Sequence, residues 1–217
     1  MIDLHTHTIF SDGQLIPSEL VRYAAVNDYR AIAITDHGDH SNLDFIIPRI
    51  VDVCRVLADS HRIAVIPGIE LTFVPPEHIE GMARKARELG ARIVVVHGET
   101  IVEPVPPGTN LAALHAPIDI LAHPGLIDRD YPGRFPDVLQ HLLPLGLDGI
   151  EAHYSRHSPG ETSLYLAVAQ HHGLLVTGGS DFHQQEDTGP DLGVGFGSLR
   201  VPYRCFLDLR ERLSAAG

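Results

Sequence analysis

The chain has 217 residues, 44% of them hydrophobic, and a formal net charge of −12 with histidine taken as neutral. That length supports one sizeable core, and the acidic balance excludes non-specific nucleic-acid binding through a basic face. Cys54 and Cys205 have no metal-ligand spacing and are too few for a disulfide framework.

No apolar run is long enough to cross a bilayer, and Met1 leads straight into an apolar segment with no basic leader, so a cytoplasmic protein is expected. The anomaly is histidine, with 15 copies against 16 Lys plus Arg. Either metal binding or the surface accounts for them, and their positions distinguish the two.

Apolar, β-rich runs alternate with helix-like segments from end to end. Ile2–Leu4 precedes a helix predicted over Pro17–Asn27, Ala31–Thr35 precedes Asn42–Leu57, and Ile63–Ile69 precedes Pro76–Leu89. Ile93–Val96 then precedes Thr109–His115, Ile118–Ala122 precedes Phe135–Leu143, and Leu147–Ile150 precedes Gly160–His172. A seventh run follows at Leu174–Thr177, with a last helix near Cys205–Leu213. Pro17 and Pro76 suit first helical turns, and Gly90 and Gly173 suit helix ends. Short, nearly unbroken apolar strands alternating with helices predict a parallel sheet covered by helices, in a single domain over 1–217. Gly193–Gly197 is not read as a dinucleotide loop, because no βαβ unit follows it.

Almost every run ends in His, Asp or Glu: His5 and His7; Asp36 and His37; Glu70; His97; His123; Glu151 and His153; Asp181 and His183. On an extended backbone His5 and His7 project to one face, as a chelating pair would. For Asp181 and His183 to meet His5 and His7, the first and last strands must be neighbours. That predicts a closed, distorted (β/α)7 TIM-like barrel with a metal site at the C-terminal mouth of its strands, where barrels collect catalytic groups. The donor types suit a polynuclear site. Three divalent ions would outweigh the carboxylates of Asp12, Glu70 and Asp181 and leave positive charge for a phosphate.

Asp3-Leu4-His5-Thr6-His7-Thr8 with Ser11-Asp12-Gly13, then Ile34-Thr35-Asp36-His37, Pro67-Gly68-Ile69-Glu70, Ala122-His123-Pro124-Gly125 and Gly179-Ser180-Asp181-Phe182-His183, resemble the PHP (polymerase and histidinol phosphatase) domain family. The resemblance implies a phosphoesterase with three ions of Zn, Mn or Fe. It implies that His5, His7, Glu70 and Asp181 hold the first ion, and that Glu70 bridges to a second held with His97 and His123. Asp12, His37 and His183 would hold the third. A hydroxide bridging two ions would attack phosphorus in line.

Asp36, Glu70 and His183 are the catalytic candidates. Asp36 would orient an imidazole from behind, and His183 or a water would protonate the leaving alcohol, with water favoured because a ligand histidine is occupied. Arg129, Arg134, Arg156, His157 and His40 are candidates for gripping phosphate from loops of the mouth, with a solvated loop charge as the bland alternative for each. Glu151 and His153 are read as pocket lining. His61, His78, His115, His141, His171 and His172 are read as structural or surface residues on helices.

The expected partner is a small phosphorylated metabolite such as histidinol phosphate or a nucleotide, with no membrane and no stable nucleic-acid partner. Ser158-Pro159-Gly160-Glu161 with Leu174–His183 resembles the nucleotide-dephosphorylating branch, but the extra domain common there has no room between Glu70 and His97. The alternatives are a metal-dependent amidohydrolase and a non-catalytic metal-binding PHP domain. A carbamylated bridging lysine is disfavoured, because Lys85, the sole lysine, falls on a predicted helix.

Overall fold

The computed structural model describes residues 1–99, 104–113, 116, 120–122, 124, 148–184 and 191–215. Among them eight parallel strands form the sheet: β1 Ile2–Asp3, β2 Ala31–Ile34, β3 His37–Gly38, β4 Ala64–Leu71, β5 Ile93–Val96, β6 Ile120–Leu121, β7 Gly149–Tyr154 and β8 Leu175–Gly179. They pair in the order β1-β2-β4-β5-β6-β7-β8, with short β3 added to β4. The helices are α1 Pro17–Val26, α2 Leu43–His61, α3 Pro76–Glu88, α4 Thr109–Ala113, α5 Pro159–His172 and α6 Tyr203–Ala215. The helix expected at Phe135–Leu143, with His115 and His141, lies outside the described residues.

Period-2 alternation sends the strand residues to two faces. Ile32, Ile34, Val94 and Val96 join a core with Leu20 and Val21 of α1, Ile46, Ile47 and Ile50 of α2, and Ile79 and Met82 of α3. Ile2, Ala31, Ala33, Ile93, Val95 and Ile120 join a second core with Leu199, Val201 and Cys205, Phe206 and Leu209 of α6. Both faces of the sheet are thus covered, which is why the strands read as continuous apolar runs.

The two ends of this strand order are linked by backbone hydrogen bonds. Leu4 N–H donates to Gly178 O at 3.1 Å, Asp181 N–H to His5 O at 3.0 Å and His7 N–H to Phe182 O at 2.9 Å. Gly179 permits that approach, because a Cβ there would fall on the Cβ of His5 and 2.6 Å from its backbone nitrogen. Buried Asp3 ties three segments together: it accepts from Ser180 N–H at 3.0 Å, Ser180 Oγ–H at 2.5 Å and Gly193 N–H at 2.8 Å.

The strands differ in places from the sequence reading. β4 runs to Leu71 and β7 to Tyr154, so Glu70, Glu151 and His153 lie within strands rather than just past them. β3 was not expected; two residues carry too short a pattern to register. Ser158-Pro159-Gly160-Glu161 forms a capping box on α5, with Glu161 N–H donating to Ser158 Oγ and Ser158 N–H to Glu161 Oε2. Helix initiation therefore accounts for that stretch locally.

Candidate metal centre

Side chains that follow β1, β5 and β8, together with His37 at the start of β3, converge on Glu70 near the end of β4. Glu70 is fully buried, and its Oε2 lies 3.2 Å from His5 Nε2, 3.1 Å from His37 Nδ1 and 3.5 Å from His7 Nε2. Its Oε1 lies 3.3 Å from His97 Nδ1. Burial alone would raise the pKa of this carboxyl, but the neighbouring imidazoles of His5 and His37 outweigh burial and hold it well below the usual range. Burial likewise opposes charge on His5, yet Glu70 and Glu151 hold its pKa well above that of a free imidazole.

Asp181 follows β8 with a left-handed backbone, φ +57°. A non-glycine residue in that region is uncommon and is tolerated best by Asp and Asn. Its Oδ1 lies 3.2 Å from His7 Nε2 and 3.7 Å from His5 Nε2, while Oδ2 accepts from Tyr154 Oη–H at 3.0 Å. Asp12 meets His37 Nε2 at 3.6 Å and His183 Nε2 at 3.4 Å. Burial would raise its pKa, but the hydrogen bond to His183 and the charges of His37 and His183 bring it down to about 2.

Among the described residues two sets of donor atoms each gather within 4.8 Å: His5, His7 and Glu70, and His7, Asp12, His37 and His183. His7 belongs to both, stacked on His183 at 4.1 Å between ring centroids and tilted against His37 at 4.3 Å. It is fully buried, and burial with the neighbouring His37 lowers its pKa to about 3. Among the described residues its Nδ1 has no hydrogen-bond partner, and its Nε2 meets Asp181 Oδ1 at 3.2 Å and Glu70 Oε2 at 3.5 Å without the alignment of a hydrogen bond. A buried imidazole left unbonded is costly. Neutral nitrogen donors beside carboxylate oxygens are what a divalent transition ion recruits, so the residues present fit the implied metal.

Further contacts hold these side chains from behind. Thr72 Oγ1 lies 2.7 Å from His37 Nδ1, the Asp181 carbonyl 2.8 Å from His183 Nδ1 and Glu151 Oε1 3.1 Å from His5 Nδ1. Asp36, expected behind an imidazole, instead bonds the 8–11 turn: Thr8 N–H, Thr8 Oγ–H and Ser11 Oγ–H donate to it at 2.7, 2.8 and 2.7 Å. Its reach to the cluster thus runs through the turn that carries Asp12. The Glu151, Thr72 and Tyr154 contacts leave no mark in the sequence, since their partners lie far along the chain. The hydroxyl residues Thr8 and Ser11 beside the His-X-His opening are the one readable hint.

His123, Arg129 and Arg134 lie outside the described residues. Arg156 is exposed, its guanidinium 5.6 Å from the centre of the Phe196 ring. His157 is buried against Tyr154 and Tyr165, with Nδ1 3.0 Å from the Ala152 carbonyl; this enclosed seat takes the place of the expected phosphate-facing loop. Exposed His40 packs edge-to-face on His78, ring centroids 4.9 Å apart. Among the described residues no helix is long and apolar enough to cross a membrane.

The profile of the PHP domain matches residues 3–176. The uncharacterized protein MJ1295 of Methanocaldococcus jannaschii is 43% identical over 205 residues, 90% of this chain and 89% of its own length. Three solved structures share the fold at lower identity. One, from Bifidobacterium adolescentis and predicted to be a metal-dependent phosphoesterase, has a TM-score of 0.68 at 20% identity, covering 97% of this chain and 96% of its own. An amidohydrolase from Chromobacterium violaceum, with bound sulfate and no metal, scores 0.61 at 22% identity with the same coverage, 97% and 96%. Histidinol phosphate phosphatase from Lactococcus lactis, complexed with zinc, L-histidinol and phosphate, scores 0.60 at 16% identity, covering 100% of this chain and 93% of its own. With its motifs in order and the profile spanning most of its length, the chain belongs to the PHP domain family.

Proposed function

We propose that the protein is a metal-dependent phosphoesterase that hydrolyses the phosphomonoester of a small metabolite. The observation that carries this reading is buried His7, at the junction of two donor sets among the described residues, its Nε2 turned to the carboxylates of Glu70 and Asp181 without an aligned hydrogen bond. The inner ion would be held by His5, His7, Glu70 and Asp181, the second by Glu70, His97 and His123, and the third by Asp12, His37 and His183. Zinc, manganese or iron suits these donors. Bound ions supply Lewis-acid charge against a phosphate ester. The bonds of residues 4–7 with 178–182 support reading the sheet as a distorted (β/α)7 barrel in one domain, with this site at its mouth.

The chain's own groups set the order of events. Asp12, His37 and His183 are the accessible edge, with side chains 52, 18 and 27% exposed, so an incoming phosphate meets that edge first. Glu70 and His7 lie behind it, closed to water, and keep their donors fixed while ester binds and product leaves. The phosphate-bound zinc enzyme from Lactococcus lactis shares this fold and supports a small phosphomonoester as the substrate class.

The test is phosphate release from histidinol phosphate, mononucleotides and sugar phosphates by protein reconstituted with manganese or zinc. Release that stops on chelation and returns on metal addition is expected. Tight metal binding with no release from any phosphoester would overturn the reading, and turnover of amides in its place would establish the amidohydrolase alternative.

A further inference from the structure

The ring of buried His5 is held from two sides. Nε2 faces the cluster, 3.2 Å from Glu70 Oε2 and 3.7 Å from Asp181 Oδ1. Nδ1 faces away from those carboxylates, 3.1 Å from Oε1 of Glu151. Glu151 is 2% exposed and sits inside β7, where the pairing with β8 slips between Glu151 and His153. Such an irregularity re-aims the side chains beside it and recurs next to active sites. A carboxylate closed to water is costly unless it accepts charge-assisted hydrogen bonds.

His37 and His183 show the same device with different acceptors. Their Nδ1 atoms meet the hydroxyl of Thr72 and the carbonyl of Asp181, their Nε2 atoms face Asp12, and His37 Nδ1 also lies 3.1 Å from Oε2 of Glu70. Glu151 is the charged acceptor among these that is not itself proposed to hold an ion. A carboxylate that accepts from Nδ1–H leaves the lone pair on Nε2, fixes the ring's rotation and makes Nε2 a stronger donor to metal.

We propose that Glu151 is the positioning residue of His5: it accepts the Nδ1–H hydrogen bond, aims Nε2 at the space shared with Glu70 and Asp181, and sets the affinity for the inner divalent ion. The ion-binding half of this role rests on the metal-centre reading above, whereas the ring-holding half belongs to the protein alone.

Two variants, Glu151→Gln and Glu151→Ala, test both halves. Imidazole ¹⁵N–¹H spectra of the metal-free protein should show a slowly exchanging, downfield proton on His5 Nδ1, shifted upfield in the Gln variant and lost in the Ala variant. Competitive zinc titration should show affinity at one site reduced about 10- to 100-fold by Glu151→Ala, with Glu151→Gln in between because its amide oxygen still accepts. If the Ala variant fails to fold, the Gln variant gives both readouts, its fold checked by its backbone amide spectrum. A wild-type His5 without a proton on Nδ1, or zinc affinity unchanged in folded variants, overturns the proposal. A wild-type protein that takes up no zinc overturns the metal-centre reading and the ion-binding role with it; the Nδ1 proton then decides the ring-holding role by itself.

Discussion

The inner and outer halves of the site are built from the same residue types but anchored differently. His5, His7 and Glu70 are buried on or beside strands and are fixed by neighbours that are buried as well. Asp12 is half exposed on the 8–13 turn, and His37 and His183 are partly open beside it. The inner half is therefore coupled to the fold, where burial makes each carboxylate–imidazole contact strong. The outer half is coupled to solvent, where the same contacts are screened. A group's distance from solvent decides whether its loss costs structure, chemistry or both.

That contrast orders the effects of substitution. Glu70→Ala removes the acceptor shared by His5, His7, His37 and His97. It is expected to abolish phosphate release and to lower metal content by two ions together, read by elemental analysis; full metal content and turnover would erase the distinction between the halves. Gly179→Ala places a methyl against His5 backbone and Cβ, with nothing flexible to yield. Overpacking of this kind is expected to cost about 3 kcal/mol in denaturant unfolding.

Asp36→Ala unlatches the Thr8–Ser11 turn. Loss of hydrogen bonds to a buried carboxylate is expected to cost about 2 kcal/mol, together with roughly 10- to 100-fold weaker binding of the outer ion. Metal titration beside thermal unfolding separates the two effects. Asp12→Ala should leave stability within about 0.5 kcal/mol, as exposed positions do, while lowering turnover and outer-ion affinity. An Asp12 variant as destabilised as Gly179→Ala would break the comparison.

The sequence patterns carry much of this inner half and little of what supports it. Alternating apolar runs placed seven strands near their observed positions, because the period-2 and 3.6-residue patterns are local. His5 and His7 were readable as a pair, and Glu70, His37, His97, Asp181 and His183 each stand at or near a strand end. The supporting contacts were not readable, because they join distant residues: Glu151 to His5 across 146 positions, Thr72 to His37 across 35, Tyr154 to Asp181 across 27. Glu151 stood out only as pocket lining, since a strand's length and register irregularity are set by its neighbour rather than by its own pattern. Asp36 was noticed for its place before His37, but its partners Thr8 and Ser11 are brought to it by tertiary structure.

The most direct test of the central claim is anomalous X-ray diffraction from crystals of the zinc-reconstituted protein. A metal centre of the kind described predicts strong anomalous peaks about 2.0–2.2 Å from Nε2 of His5 and His7 and from a Glu70 oxygen, with a further peak among Asp12, His37 and His183. Zinc-loaded crystals with no peak at Glu70, or with peaks confined to surface histidines such as His171 and His172, would contradict it.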